Sequence, residues 1–129
     1  MGLSNLADRL PVLVIEDEPV LRLYVLDMVE EAGFEPVAVT SVADAIRILE
    51  ERPDILIVYM DLDMPGGVRG IEIAAAIRDR WPPIEIILTA AFLTRDDIDL
   101  PERAEFYPKP IQHDRLIGVI RRMSGQLGQ

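Results

Sequence analysis

Six consecutive apolar residues, Ile55 to Met60, run without interruption into Asp61-Leu62-Asp63-Met64-Pro65-Gly66-Gly67. A run of that length is too short to span a bilayer and reads as a strand covered on both faces, the kind that parallel sheets contain. Asp61 then stands at the carboxyl end of a central strand. Open α/β sheets gather ligands at that edge, because the strands stop there and the loops part to leave a crevice. A carboxylate in that place is either a chemical group or a helix cap.

The flanking sequence alternates strand and helix patterns. Val12 to Ile15 is a short apolar strand, and Pro19 sits where a first helical turn tolerates a missing N–H. The helix that follows places Val20, Leu23, Tyr24, Leu26 and Val29 near one face and stops at Gly33. Phe34 to Thr40 reads as a second strand, and Ser41 as the N-cap of a helix with Val42, Ala45, Ile46 and Leu49 inward. Beyond the central strand come a helix over Gly70 to Arg80, stopped by Trp81-Pro82-Pro83, and a fourth strand over Ile84 to Leu88. Arg103 to Tyr107 is a weaker fifth strand and Ile111 to Met123 a last helix with Leu116, Ile117 and Ile120 inward. Thr94 to Pro101 is rich in Asp and weak in periodicity, so one turn of helix at most is expected there. Five alternations predict one doubly wound parallel sheet with helices on both faces.

With 129 residues, half of them hydrophobic, the chain has the length and apolar content of one self-supporting domain. The expected division is an N-terminal extension over 1–10, the domain over 11–124 and a polar tail over 125–129. The absence of cysteine excludes disulfides, thiol catalysis and Cys-based zinc sites. No signal peptide or membrane-length run is visible, and the cytoplasm is the default location. A net charge of −10 argues against general binding to nucleic acid, which needs clustered Lys and Arg. No glycine-rich phosphate loop of either common kind occurs.

In a parallel sheet the strand ends meet at one edge. Glu16-Asp17-Glu18 follows the first strand, Asp61 and Asp63 the third, Thr89-Ala90 the fourth and Lys109-Pro110 the fifth. Up to four carboxylates therefore face one ammonium, and like charges a few ångströms apart repel by about 1 kcal/mol or more. A hard divalent cation with oxygen ligands, Mg²⁺ above all, is the simplest compensation.

Those four strand ends, Val-Leu-Val-Ile-Glu16-Asp17-Glu-Pro, Asp61-Leu-Asp-Met64-Pro65-Gly66 followed by Gly70, Thr89-Ala90 and Lys109-Pro110, resemble the receiver domain of two-component response regulators over Val12 to Ile120. Arg-Asp-Arg-Trp-Pro-Pro and the Asp-rich segment ending in Leu100-Pro101 resemble an alphaproteobacterial subgroup that often lacks an output domain. The resemblance implies a flavodoxin-like sheet of order 2-1-3-4-5. It implies that Asp61 is the phosphoacceptor, charged in line from a histidine kinase or histidine phosphotransfer protein, and that the chain catalyses only its own phosphorylation and dephosphorylation. Glu16, Asp17, Asp61 and the backbone carbonyl of Asp63 are then the Mg²⁺ ligands. Lys109, on a cis peptide with Pro110, and the Thr89 hydroxyl meet phosphoryl oxygens, and Phe106 turns inward as Thr89 moves. An unknown downstream protein reads the result, as a switch, relay or phosphate sink. The short or irregular fourth helix departs from the family pattern, and the small Ala91 leaves an acyl phosphate open to water.

Plainer readings stand beside each of these. Asp17 and Glu18 can cap the first helix, Asp63 can be a turn residue, Thr89 an ordinary strand residue and Phe106 plain core, with Tyr107 competing for the switch role. His113 reads as a surface residue, Trp81 as packing, and Asp96, Asp97 and Asp99 as a solvated loop. Two other function classes fit parts of the pattern. Asp61-Leu62-Asp63 matches the Asp-x-Asp of haloacid dehalogenase phosphatases, which place it on the first strand and need a longer chain. A receiver-like docking module that is never phosphorylated would not need Asp61, Thr89 and Lys109 together.

Overall fold

The computed structural model of the chain describes residues 9–64 and 69–127. Most of the expected N-terminal extension, and the Pro65-Gly66-Gly67 turn, lie outside those residues. The element order is β1 (Pro11–Ile15), α1 (Pro19–Glu31), β2 (Glu35–Val39), α2 (Val42–Glu51), β3 (Ile57–Asp61), α3 (Arg69–Arg80), β4 (Glu85–Ala90), β5 (Ala104–Pro108) and α4 (His113–Leu127). All strand pairs are parallel, in the order β2-β1-β3-β4-β5. The flavodoxin-like arrangement implied by the motifs is the one found.

β1, β3 and β4 are buried along their whole length because both faces of the sheet are covered. On one face Leu13, Ile15, Val58, Met60, Ile86 and Leu88 pack with Ala45 and Leu49 of α2 and Ala74 and Ile77 of α3. On the other, Val12, Val14, Ile57 and Ile87 pack with Val25, Met28 and Val29 of α1 and with Leu116, Ile117 and Ile120 of α4. The even split follows from the two-residue period of a strand.

Local signals place most boundaries. Ser41 Oγ accepts from Asp44 N–H at 3.2 Å and caps α2. Gly33, at φ +100°, turns the chain out of α1 where a side chain would be strained. Gly70 lets α3 start hard against β3, since a Cβ there would lie 2.7 Å from Leu62 Cδ2. Between β4 and β5 the chain makes one 3-10 turn, Arg95–Asp97, in place of a helix. α4 continues to Leu127, past the Met123 at which the apolar spacing ends.

The expected inner face of α1 is corrected. Val20, Leu23 and Tyr24 are exposed, and Val25, Met28 and Val29 make the buried side. Apolar residues run almost all round this helix, so spacing alone selects no face, and contact with Ile111 and Leu116 decides.

Candidate functional site

β1, β3, β4 and β5 bring their last residues to one edge, with Asp61 in register beside Thr89. The Asp61 carboxylate is 3 % exposed. Lys109 Nζ donates to its Oδ2 at 2.8 Å, and Asp63 N–H donates to its Oδ1 at 2.7 Å. The Lys109–Pro110 peptide is cis. Lys109 N–H donates to Ala90 O at 2.9 Å, which ties the lysine to the end of β4.

Glu16, directly after β1, is fully buried. Its Oε2 accepts from Glu18 N–H at 3.1 Å, while Oε1 has no hydrogen-bond partner among the described residues. Burial pushes its carboxyl up to about 8, and the neighbouring Asp61 carboxylate pushes the same way. Asp17 is exposed. One carboxylate oxygen from each of Glu16, Asp17 and Asp61 lies within 4.8 Å of the other two. Three hard oxygen donors at that spacing, one of them orphaned by burial, fit a divalent cation of the Mg²⁺ kind.

The cap of α1 is Glu18. Its carboxylate accepts from Val20 N–H at 3.1 Å and Leu21 N–H at 2.6 Å, which leaves the Asp17 side chain free of that duty. Thr89 is fully buried and its Oγ1 has no hydrogen-bond partner among the described residues. An unsatisfied buried hydroxyl costs about 1–3 kcal/mol, so its persistence marks a place where a further acceptor belongs.

A family profile for the response regulator receiver domain matches residues 12–121. The chain belongs to this family. It is 26 % identical over 121 residues to a putative NtrX-like response regulator of Rickettsia felis, covering 88 % of this chain and 25 % of that protein. Over 131 residues it is 32 % identical to a protein-glutamate methylesterase/protein-glutamine glutaminase of Natronomonas pharaonis, covering 88 % of this chain and 35 % of that protein. The chain thus spans about a quarter to a third of these relatives. A crystal structure of a receiver domain protein from Clostridium thermocellum superposes with a TM-score of 0.80 at 26 % identity, over 90 % of this chain and 94 % of that one.

The remaining receiver residues fall as follows. Phe106 is 7 % exposed and packs with Leu88, Ala90 and Ile98, whereas Tyr107 is the residue in register with Thr89. His113 is partly exposed and pairs with Glu31 and Asp114. Trp81 packs at the margin of the core beneath the Arg80 guanidinium, 4.7 Å from the ring centre. Asp97 caps its own turn by accepting from Thr94 N–H at 2.8 Å, and Asp96 and Asp99 are exposed.

Two participants, and one contact of a third residue, were not foreseen. Arg22 donates to the carbonyls of Glu16 at 3.2 Å and Asp17 at 3.3 Å, pinning the acidic segment to α1. An arginine in the second turn after an acidic strand end was the available signal. The phenol of Tyr59, two residues before Asp61, is buried under the site and held above its usual range, chiefly by burial and then by the Glu16 and Asp61 carboxylates. The Asp63 carboxylate lies 3.1 Å from Lys109 Nζ, as the strand-end charges led one to expect, but it also accepts from Ala91 N–H at 2.8 Å. Nothing local in the sequence announces that bond, because it depends on where the chain passes after β4.

Proposed function

We propose that this receiver accepts a phosphoryl group on Asp61 from the phosphohistidine of a histidine kinase or histidine phosphotransfer protein. A carboxylate oxygen of Asp61 forms the new P–O bond as the P–N bond breaks, and the imidazole nitrogen leaves with the electron pair. Lys109 offsets charge on one transferring oxygen, and the Thr89 hydroxyl donates to another. Glu16, Asp17, Asp61 and the backbone carbonyl of Asp63 hold Mg²⁺, which when bound offsets charge on the phosphoryl oxygens. The observation that carries this reading is a buried carboxylate set between a three-oxygen acidic cluster and a single ammonium.

Thr89 and Phe106 form the switch: Thr89 moves to the phosphoryl group and the buried Phe106 shifts inward as it leaves. A downstream protein in the cytoplasm reads the change. The chemistry is confined to the chain's own carboxylate.

Incubation with acetyl phosphate and Mg²⁺, followed by intact-mass measurement, tests this. Wild type gains one phosphoryl group and Asp61→Asn gains none. Absence of uptake by wild type, or equal uptake by the variant, overturns the assignment.

A further inference from the structure

Asp63 joins the ends of three strands. It stands on the turn after β3, its Oδ2 accepts from the N–H of Ala91 just past β4, and the same oxygen lies 3.1 Å from the ammonium of Lys109 just past β5. Its own N–H is committed to Asp61 Oδ1 at 2.7 Å. Two carboxylates therefore share one ammonium, at 2.8 Å for Asp61 and 3.1 Å for Asp63. A phosphoryl group on Asp61 needs the cation that Asp63 is holding.

We propose that the Asp63 carboxylate is a built-in competitor for Lys109 and a latch on the segment after β4, holding Lys109 and the Ala91 N–H in the unphosphorylated protein and releasing both when Asp61 is phosphorylated. This rests on the reading of Asp61 as phosphoacceptor. Asp63 is the member of the pair that can leave: its side chain is 28 % exposed, against 3 % for Asp61, so it can rotate into water while Asp61 stays fixed. The incoming group brings a charge of about −1.5 to −2, which repels a neighbouring carboxylate and outbids it for the ammonium. Once Asp63 turns away, the Ala91 N–H loses its acceptor. The segment it then frees has little structure of its own, a single 3-10 turn at Arg95–Asp97, and carries Phe92 with 92 % of its surface in solvent. Asp63 is thus a positioning residue with two effects of one origin: it opposes phosphorylation, and it couples phosphorylation to the β4–β5 connection.

Two measurements on wild type, Asp63→Asn and Asp63→Ala test it. In the unliganded proteins, the Ala91 amide is followed by NMR chemical shift and hydrogen exchange. Loss of the acceptor in Asp63→Ala moves its resonance and speeds its exchange by about tenfold, whereas Asp63→Asn keeps an amide oxygen in place and leaves Ala91 close to wild type. Beryllofluoride affinity is then measured at saturating Mg²⁺. Removal of the competing charge tightens it by about tenfold in Asp63→Asn, and in wild type its binding carries the Ala91 amide to the position seen in unliganded Asp63→Ala. A general loss of negative charge would alter affinity but not that amide. An Ala91 amide indifferent to Asp63→Ala, or beryllofluoride binding no tighter in Asp63→Asn, overturns this proposal alone. Failure of every variant to bind beryllofluoride overturns the phosphoacceptor reading and this proposal with it.

Discussion

At the amino edge of the sheet, Arg52 bridges Glu35 at 3.2 Å and Asp54 at 2.9 Å, and Arg103 reaches the buried Glu85 at 3.3 Å. At the carboxyl edge of the same strands, Glu16, Asp17, Asp61 and Asp63 face Lys109. Both edges bury acids, and only one completes their partnerships. The amino edge even spends Arg78 on backbone: its guanidinium donates to the carbonyls of Glu102 at 2.5 Å, Pro82 at 2.6 Å and Ile84. Among the described residues, the carboxyl edge leaves Glu16 Oε1 and Thr89 Oγ1 with no partner. Buried charge that is satisfied holds a fold in register; buried charge left in excess is held for a ligand.

Substitutions at the two edges should therefore separate function from stability. Asp61→Asn is expected to lower phosphorylation from acetyl phosphate by at least about a thousandfold with little loss of stability, since the amide relieves like-charge repulsion. Intact mass and a denaturant titration measured together check both halves. Glu85→Gln at the other end of the sheet should leave phosphorylation at the wild-type rate.

Arg78→Ala presents the reverse case. Removing one side chain strips a donor from four carbonyls, those of Trp81, Pro82, Ile84 and Glu102, at the turns entering β4 and β5, and the expected loss is about 2–4 kcal/mol of unfolding free energy. Urea denaturation measures it, and beryllofluoride affinity of the folded variant should match wild type. A variant that lost affinity without losing stability would break the division between the edges.

The alternation of apolar runs with helical spacing was enough to place all five strands and their shared edge, because burial on both faces leaves a strong signature in β1, β3 and β4. Gly33 was legible as the stop of α1, where a positive φ would strain a side chain, whereas the close approach of Gly70 to Leu62 was not, because it depends on how α3 docks after β3. Burial on α1 was not, because Val20, Leu23 and Tyr24 are as apolar as Val25 and Met28. Glu18 and Asp17 both have capping chemistry, and only the backbone path into α1 selects Glu18. Arg78 and the Asp63–Ala91 bond were illegible for a further reason. Each acts on backbone groups distant in sequence, Glu102 and Ile84 for one and Ala91 for the other, and backbone carries no residue-specific mark.

The orphaned Glu16 carboxyl gives the carboxyl edge a pH dependence opposite in sign to that of the amino edge, where the Arg52 guanidinium holds Asp54 below the usual carboxylate range. The folded value of Glu16 stands near 8 against 4.5 when unfolded. Between those values the folded chain keeps a proton that the unfolded chain has released, so stability falls as pH rises. The penalty is absent below about pH 4.5 and complete above about pH 8, on the order of 2 kcal/mol because the edge opens to water. Denaturation of the Mg²⁺-free protein at about pH 5 and about pH 8.5 reads it. Glu16→Gln should flatten the slope, and saturating Mg²⁺ should flatten it in wild type by favouring the ionised carboxylate.

His113 belongs to neither edge and sets the scale for exposed charge in this molecule. It joins the first residue of α4 to the last of α1, with Nδ1 2.9 Å from Asp114 and Nε2 2.5 Å from Glu31. The groups facing it are these two carboxylates, and Arg121 nearby donates to the carbonyls of Ala32 and Glu31. Hydrogen bonds to Asp114 and then Glu31 raise the imidazole above its ordinary 6.5. A raised folded value means that the stabilisation is fully present below pH 6.5 and is lost as pH rises through the folded value, opposite in cause to Glu16 but equal in sign. Exposure and salt screen such a pair, so His113→Gln should give the smallest effect of the set. It should appear as a slightly lower melting temperature at about pH 5.5, vanish at about pH 9, and shrink in molar salt. A Glu16 slope surviving the same salt would show that burial, rather than the charges themselves, divides the carboxyl edge from the rest of the surface.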